Sequence, residues 1–427
     1  MKVNVTNVSG CSREVQVEVP AEIVQNKVDD IYDRILKEAK IPGFRKGKAP
    51  MDVIKKQYKS NVRDEMVHHQ LPEFFREALM EVKIDPVAQP QITHLQFEEG
   101  SPLKFVAVVE IKPEFELKTY KGLKIKKENT TVKEEDVDKA LEGLRDQMAQ
   151  FSLVEDRAAK VDDLVAIDFE GKIDGKVFDG GKANRYPVLL GSQSLLKDFE
   201  SNLIGLKKDE SKTFKLVFPK DYPKKEVAEK EAEFTVKLHE IKEKVLPVVD
   251  NDFAKKIAKC ETVKELREKI EAQIKSQKEL EQRSKMIEQI GEKLIGDHAF
   301  DVPPSLINLE QQRLVQQGVE RLKNQGVDVN KLTEEQKKQF VESLRPISQK
   351  NVQMALIVEK ISTAEGIRCE EKDFEAYLQK VSQSSNQPVD AVKRYIQQQG
   401  NVDSIKEWIQ YEKSLDFLIA AAKLEAA

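Results

Sequence analysis

The sequence predicts a multi-domain α+β protein in three parts: a mixed α+β domain, a small antiparallel β domain and an all-α C-terminal region. Three observations carry this reading. At 427 residues the chain is longer than one ordinary hydrophobic core serves. The apolar period becomes two between about 161 and 243. After about 244 it returns to helical spacing and strand signals vanish.

The elements follow in chain order. Val15, Val17 and Val19 alternate as in a half-buried strand, and Val24, Val28, Ile31 and Ile35 then recur at helical spacing between Pro20 and Pro42. A further helical pattern opens near Met51, and Leu103, Phe105, Ala107, Val109 and Ile111 alternate again. Residues 1–112 therefore read as an α+β domain. A connector over 113–160 holds the charged stretch KGLKIKKENT, a capping-box pattern Thr131-x-x-Glu134, and a stripe of Val137, Leu141, Leu144, Met148 and Phe151.

Within 161–243, Val165, Ile167 and Phe169 share a face, as do Phe214, Leu216 and Phe218, and Phe234, Val236 and Leu238. Such alternation belongs to antiparallel strands with one wet face. Asp174-Gly175 between two extended runs is a type I′ hairpin signal. Residues 244–427 are helical, with capping boxes at Thr262-x-x-Glu265 and Thr333-x-x-Gln336 and Pro304 at a first turn. Pro346 is expected to kink or break its helix, VSQSSNQP (381–388) to form a polar interruption between two helices, and the last helix to present Trp408, Tyr411, Leu415 and Leu418. Narrow apolar stripes on long helices suggest extended arms.

Composition excludes several function classes. Charged residues reach 34% and apolar residues 39%, yet the net charge is only -4, without the excess of a general nucleic-acid binder. The N-terminus lacks a secretory apolar run, and no run of about 18 apolar residues occurs. Cys11, Cys260 and Cys369 are widely separated and odd in number, which suits free thiols in a reducing compartment. The five histidines show no metal-ligand spacing. A cytoplasmic protein without metal or other cofactor is expected.

The most informative segment is Gly43-Phe44-Arg45-Lys46-Gly47-Lys48-Ala49-Pro50, which follows Pro42. Prolines and glycines demand an exposed turn. Positions 1–112 hold 17 basic and 17 acidic residues, so this loop is a basic spot on a neutral domain. Its chemistry suits RNA phosphates or acidic protein patches, and equally a solvated connection between helices. The segment closely resembles the ribosome-attachment loop of the trigger factor family, whose motif GFRKGKxP is matched at all seven fixed positions. The resemblance implies that Phe44, Arg45 and Lys46 contact the ribosome near the polypeptide exit tunnel, flanked by Gly43, Gly47 and Lys48.

An independent resemblance covers 161–243: VAIDFEGKIDGKVFDGG, YPVLLGSQSLLKDFE, FPKDYP and AEFTVKLHEIK are similar, in order and spacing, to the FK506-binding (FKBP) isomerase half-barrel. It implies a proline pocket of Phe169, Phe178, Asp179, Tyr186, Val188, Leu195, Leu196, Phe199, Tyr222 and Phe234. By composition, Phe169, Phe178 and Phe234 are equally the core of a small barrel, and Asp179 and Tyr222 are the more specific part. The chain departs from stand-alone members of the fold at Phe199, where many carry tryptophan, and at Asp198, where glycine is common.

Amide rotation has a barrier of roughly 18–20 kcal/mol because resonance must be lost, and a twisted amide carries less charge to solvate. A dry aromatic cleft therefore favours the transition state. Asp179 would orient the substrate and Tyr222 would hydrogen-bond its carbonyl.

PVVDNDFAKKI and DVPPSLI follow in the order expected of trigger factors. The resemblance implies a ribosome-associated chaperone for nascent and unfolded polypeptides that isomerises X-Pro bonds. Its implied contacts are ribosomal protein and rRNA, and it leaves room for a homodimer off the ribosome. Two rival readings are a chaperone whose isomerase domain serves mainly as a client-binding module, and a free isomerase without ribosome docking.

Overall fold

The computed structural model describes residues 1–427 apart from Lys40, Ile41, Gly43, Lys46, Gln193, 221–226 and Ala427, with Asn330 and Ala426 described by backbone alone. Its chain forms two compact units, Met1–Glu128 with Arg283–Ala427, and Asn129–Gln282.

The first unit opens with β1 (Lys2–Ser9) and β2 (Ser12–Val19), then α1 (Ala21–Glu38), α2 (Met51–Glu65), a π-helical segment Met66–Gln70 and α3 (Leu71–Val82). The π register precedes Pro72, which lacks the N–H that an α-helical ladder would use there. β3 (Gln91–Gln96) and β4 (Leu103–Glu110) complete an antiparallel sheet in the order β1-β2-β4-β3. Val15, Val17, Val19, Leu103, Phe105 and Val109 form its buried face, against Val24, Val28, Ile31 and Tyr32 of α1, Ile54 of α2 and Phe74 of α3. Each large side chain so buried contributes about 1.5–3 kcal/mol. Tyr32, wholly buried, donates to the Glu99 carboxylate at 2.8 Å; burial and that neighbour together push its hydroxyl well above the ordinary tyrosine range. β5 (Lys124–Lys127) follows.

The second unit begins with α4 (Glu134–Gln147). The expected cap Thr131-x-x-Glu134 is displaced. Thr131 instead donates its hydroxyl to Asn129 Oδ1 at 2.6 Å, and Asp136 reaches back to the Lys133 N–H at 3.3 Å. Val137 and Leu141 pack with Phe253 and Leu266, whereas Met148 and Phe151 are exposed, because the helix ends and β6 (Gln150–Val154) begins.

β7 (Leu164–Ile173), β8 (Lys176–Leu189), α5 (Lys197–Leu203), β9 (Ser211–Val217) and β10 (Glu231–Val245) follow. The sheet runs β6-β10-β7-β8, with β9 also paired to β10, all antiparallel. Asp174 and Gly175, both at positive φ, make the two-residue turn between β7 and β8. Two single-residue bulges bend this sheet, besides a wider shift where Gly171 stands opposite 178–181. On β10, Leu238 pairs with Ile167 and Glu240 with Ala166, so His239 is an extra residue. The slip flips the pleat, which lets both Leu238 and Ile241 face the core. On β8, Asn184 and Arg185 stand opposite the single residue Asp168. α6 (Asn251–Ala258), capped by Asp250 at 2.8 Å from the Phe253 N–H, and α7 (Val263–Asp297) pack on α4.

From Arg283 onward α7 belongs to the first unit. Then come α8 (Pro304–Asn324), α9 (Glu334–Glu365), α10 (Glu371–Ser385), α11 (Val389–Gln398), α12 (Val402–Ala420) and β11 (Lys423–Ala426). Thr333 and Gln336 form the expected reciprocal cap of α9. α9 continues through Pro346 as one helix, so the proline does not break it. A proline costs one ladder bond, and the following turns are held by Ile357, Val358 and Ile361 packing on Ile290 and Leu294 of α7 and Leu415 and Leu418 of α12. α10 extends through Ser385, so the polar interruption is confined to 386–388. β11 adds a strand to the helical region, pairing parallel with β5.

Candidate functional site

Inward alternation on β7 and β10, together with α5 laid across the sheet, brings four rings from four elements to one place. Phe169 of β7 lies 6.0 Å from Tyr186 of β8, 5.8 Å from Phe199 of α5 and 6.4 Å from Phe234 of β10. Phe199 and Phe234 are 5.1 Å apart, nearly perpendicular, and Phe178 stands edge-on to Phe234 at 6.0 Å. Edge-to-face pairs contribute about 0.5–1.5 kcal/mol beyond burial and hold each ring's direction.

Phe199, Phe234 and Val188 are buried, whereas Tyr186 is 43% exposed and Phe169 and Phe178 half-buried. The cluster thus has a packed floor and an accessible rim. Leu195 and Leu196 pack against the same core from the segment before α5. Asp179 is exposed beside Phe178. Tyr222 falls outside the described residues.

Phe214 and Phe218 are further members that sequence reasoning assigned only to the strand face. Phe218 meets Phe178 at 5.7 Å, and Phe214 stacks on Phe234 at 6.1 Å. Their signal was the period-two run Phe214, Leu216, Phe218, which does not distinguish cleft from core. Gly171 was missed as well. A Cβ there would come within 2.5 Å of Phe234 and 2.8 Å of Phe178, so the absent side chain makes room for both rings.

The other face of the sheet is charged. Asp168 accepts from the Arg185 N–H at 2.7 Å and pairs with His239 at 2.7 Å, so one carboxylate ties both bulges. The Arg185 amide first, and His239 second, hold its carboxyl below the usual range. Glu170, bracketed by Lys172 and Lys182 at 2.8 Å each, is lowered to about 2. These charges keep the outer face solvated while the inner face stays apolar. No group of His, Cys, Asp and Glu among the described residues is arranged to hold a metal. Chemically, the cleft can receive a proline ring and surround a twisting amide with apolar rings, which needs neither nucleophile nor proton transfer.

The basic loop between α1 and α2 is anchored where it rejoins the core, by buried Ala49, and turns through a Lys48 N–H to Arg45 C=O bond of 2.9 Å. Phe44 is 43% exposed. Arg45 and Lys48 are exposed and form no ion pair among the described residues, and Gly47 is half-buried. Gly43 and Lys46 lie outside the described residues.

Comparison with known proteins places these features together. Residues 1–144 match the model of the bacterial trigger factor protein, residues 262–420 that of its C-terminus, and residues 155–239 that of the FKBP-type peptidyl-prolyl cis-trans isomerase. The trigger factor of Geobacillus sp. (strain WCH70) is 34% identical over the whole of both chains. That of Carboxydothermus hydrogenoformans is 35% identical, covering 99% of this chain and 100% of the relative. That of Bacillus subtilis is 35% identical, covering 94% and 96%. A solved structure, described as "Promiscuous Substrate Recognition in Folding and Assembly Activities of the Trigger Factor Chaperone", matches 98% of this chain and 99% of its own with a TM-score of 0.50. At 19% identity it shows a shared fold.

Proposed function

The chain belongs to the bacterial trigger factor family, and on that premise we propose that its isomerase chemistry takes place in the cleft between Phe169, Tyr186, Phe199 and Phe234. The protein is a chaperone with peptidyl-prolyl isomerase activity, and its family implies binding to the ribosome and to nascent chains. The observation that carries the assignment of the cleft is the convergence of rings from four elements on a floor with an accessible rim. Phe178, Val188, Leu195 and Leu196 complete the apolar wall in this reading, and Asp179 and Tyr222 supply its polar groups. We assign the isomerase to 161–243, the ribosome-binding domain to 1–112, the linker to 113–160 and the chaperone domain to 244–427.

Tyr186 is at the rim, so Tyr186→Ala should leave the fold intact. It is expected to lower kcat/KM on an X-Pro peptide by about tenfold, or about 1.4 kcal/mol of transition-state stabilisation. An unchanged kcat/KM would place the chemistry elsewhere. A parent protein that binds the peptide without turnover would favour a client-binding module.

Docking is assigned to Phe44, Arg45 and Lys46, flanked by Gly43, Gly47 and Lys48, with rRNA phosphates and a ribosomal protein near the exit tunnel as partners. The exposed Phe44 beside Arg45 and Lys48, which form no ion pair among the described residues, supports this reading. Replacing Phe44, Arg45 and Lys46 together by alanine should abolish saturable co-sedimentation with vacant ribosomes; persistence of that binding would refute the assignment. A cytoplasmic location and self-association off the ribosome complete the proposal, read by fractionation and sedimentation velocity.

A further inference from the structure

We propose that Glu200 is a positioning residue of the isomerase, a buried carboxyl that holds Gly191 and Leu195 in the places that seat proline. Glu200 is only 4% exposed, in a domain whose interior is otherwise built largely from aliphatic and aromatic side chains. It lies on α5 immediately after Phe199. One carboxyl oxygen accepts from the Gly191 N–H at 2.8 Å and the other from the Leu195 N–H at 3.1 Å. A single side chain therefore grips both ends of the segment joining β8 to α5.

A buried carboxyl is costly unless its oxygens are hydrogen-bonded, and hydrogen bonds from backbone N–H to a carboxyl are among the stronger ones. For packing alone, an apolar side chain in this place would be cheaper. What the carboxyl adds is geometry. Val188 lies at the end of β8, just before the gripped segment, and Leu195 and Leu196 lie at its far end. Phe199, next to Glu200 on α5, touches Phe169 and Phe234. Glu200 thus fixes the spacing between the strand side and the helix side of the cleft without lying in the ring cluster. A floor that shifts by a fraction of an ångström no longer complements the twisted amide. This inference rests on the cleft being the isomerase site.

The test uses the full chain with Glu200→Ala and Glu200→Gln, measuring kcat/KM on an X-Pro peptide and amide hydrogen exchange of 190–196 against β7 and β10. For Glu200→Ala we expect kcat/KM to fall about tenfold or more. Exchange at 190–196 should accelerate, while β7 and β10 keep the parent's slow rates. Glu200→Gln, whose amide has one acceptor oxygen for two N–H groups, should lie between. An active parent whose Glu200→Ala variant retains its kcat/KM overturns the positioning role, and unchanged exchange at 190–196 overturns the grip. If Glu200→Ala exposes β7 as well, Glu200→Gln decides by the same two readings. An inactive parent instead sinks the cleft assignment itself, and is told apart because it precedes any substitution.

Discussion

Single side chains set the shape of the cleft, and Gly171 does so by having none. A methyl group there would stand 2.5 Å from Phe234 and 2.8 Å from Phe178, well inside ordinary contact, so both rings would have to move. Overpacking of this kind costs about 1–3 kcal/mol. Gly171→Ala is therefore expected to lower the unfolding free energy of the isomerase, read from its urea transition, by that amount and to reduce kcat/KM along with it, since Phe234 is central to the cluster. A variant as stable and active as the parent would mean that the rings move freely. Phe169 and Phe234 were legible in the sequence because alternation marks inward positions, and Phe178 only through the resemblance to the isomerase half-barrel. Gly171 and Glu200 were not. A glycine in a strand and a glutamate on a helix read as neutral and solvated, and only the fold reveals which ring or which N–H lies opposite.

Strands and helices were read well where one period held over their whole length, as in β4 and α12. They were read less well where one residue changes the count. The bulge at Arg185 leaves no mark in the alternation, and the one at His239 leaves only the three-residue step from Leu238 to Ile241. Both depend on Asp168, whose carboxyl is held below its usual range by the Arg185 amide and then by His239. A depressed carboxyl stabilises the fold at pH above its unfolded value of about 3.9, and that contribution is lost as pH falls through the lower folded value. Acid unfolding should therefore start at higher pH in Asp168→Asn than in the parent, and the two proteins should converge at the most acidic pH. Coincident acid-unfolding curves across the whole range would show that the carboxylate does not hold the bulges. Helix ends followed the same rule. The Thr333 cap was legible because its pattern is complete. The Thr131 pattern misled because the helix opens two residues later, with Lys133 at the cap and Asp136 reaching back to its N–H.

Over the whole chain, reading in sequence order recovered the fold class, but it could not show which distant segments complete one another. The first unit joins 1–128 to 283–427, and β5 with β11 is part of that joining. A two-stranded sheet is marginal alone. This one is supported by Ile125, buried among Ile290, Ile361 and Leu418, and by the Lys423 N–H bonding the Leu123 carbonyl at 2.9 Å. Periodicity could not reveal it, since four residues of KLEA contain too little pattern to be told from a frayed helix end. Ending the chain after Ala422 removes these backbone bonds, each worth about 0.5–1.5 kcal/mol net, and should cost the first unit about 2–4 kcal/mol. The aromatic cleft lies wholly in 129–282, so kcat/KM on a short X-Pro peptide should be unaffected. Urea unfolding followed by Trp408 fluorescence reads the first quantity, because Trp408 is the only tryptophan and sits on α12 of the first unit. A truncated chain with the parent's midpoint would show that β11 is ornamental, whereas loss of peptide isomerisation would show that the second unit depends on the first for its fold.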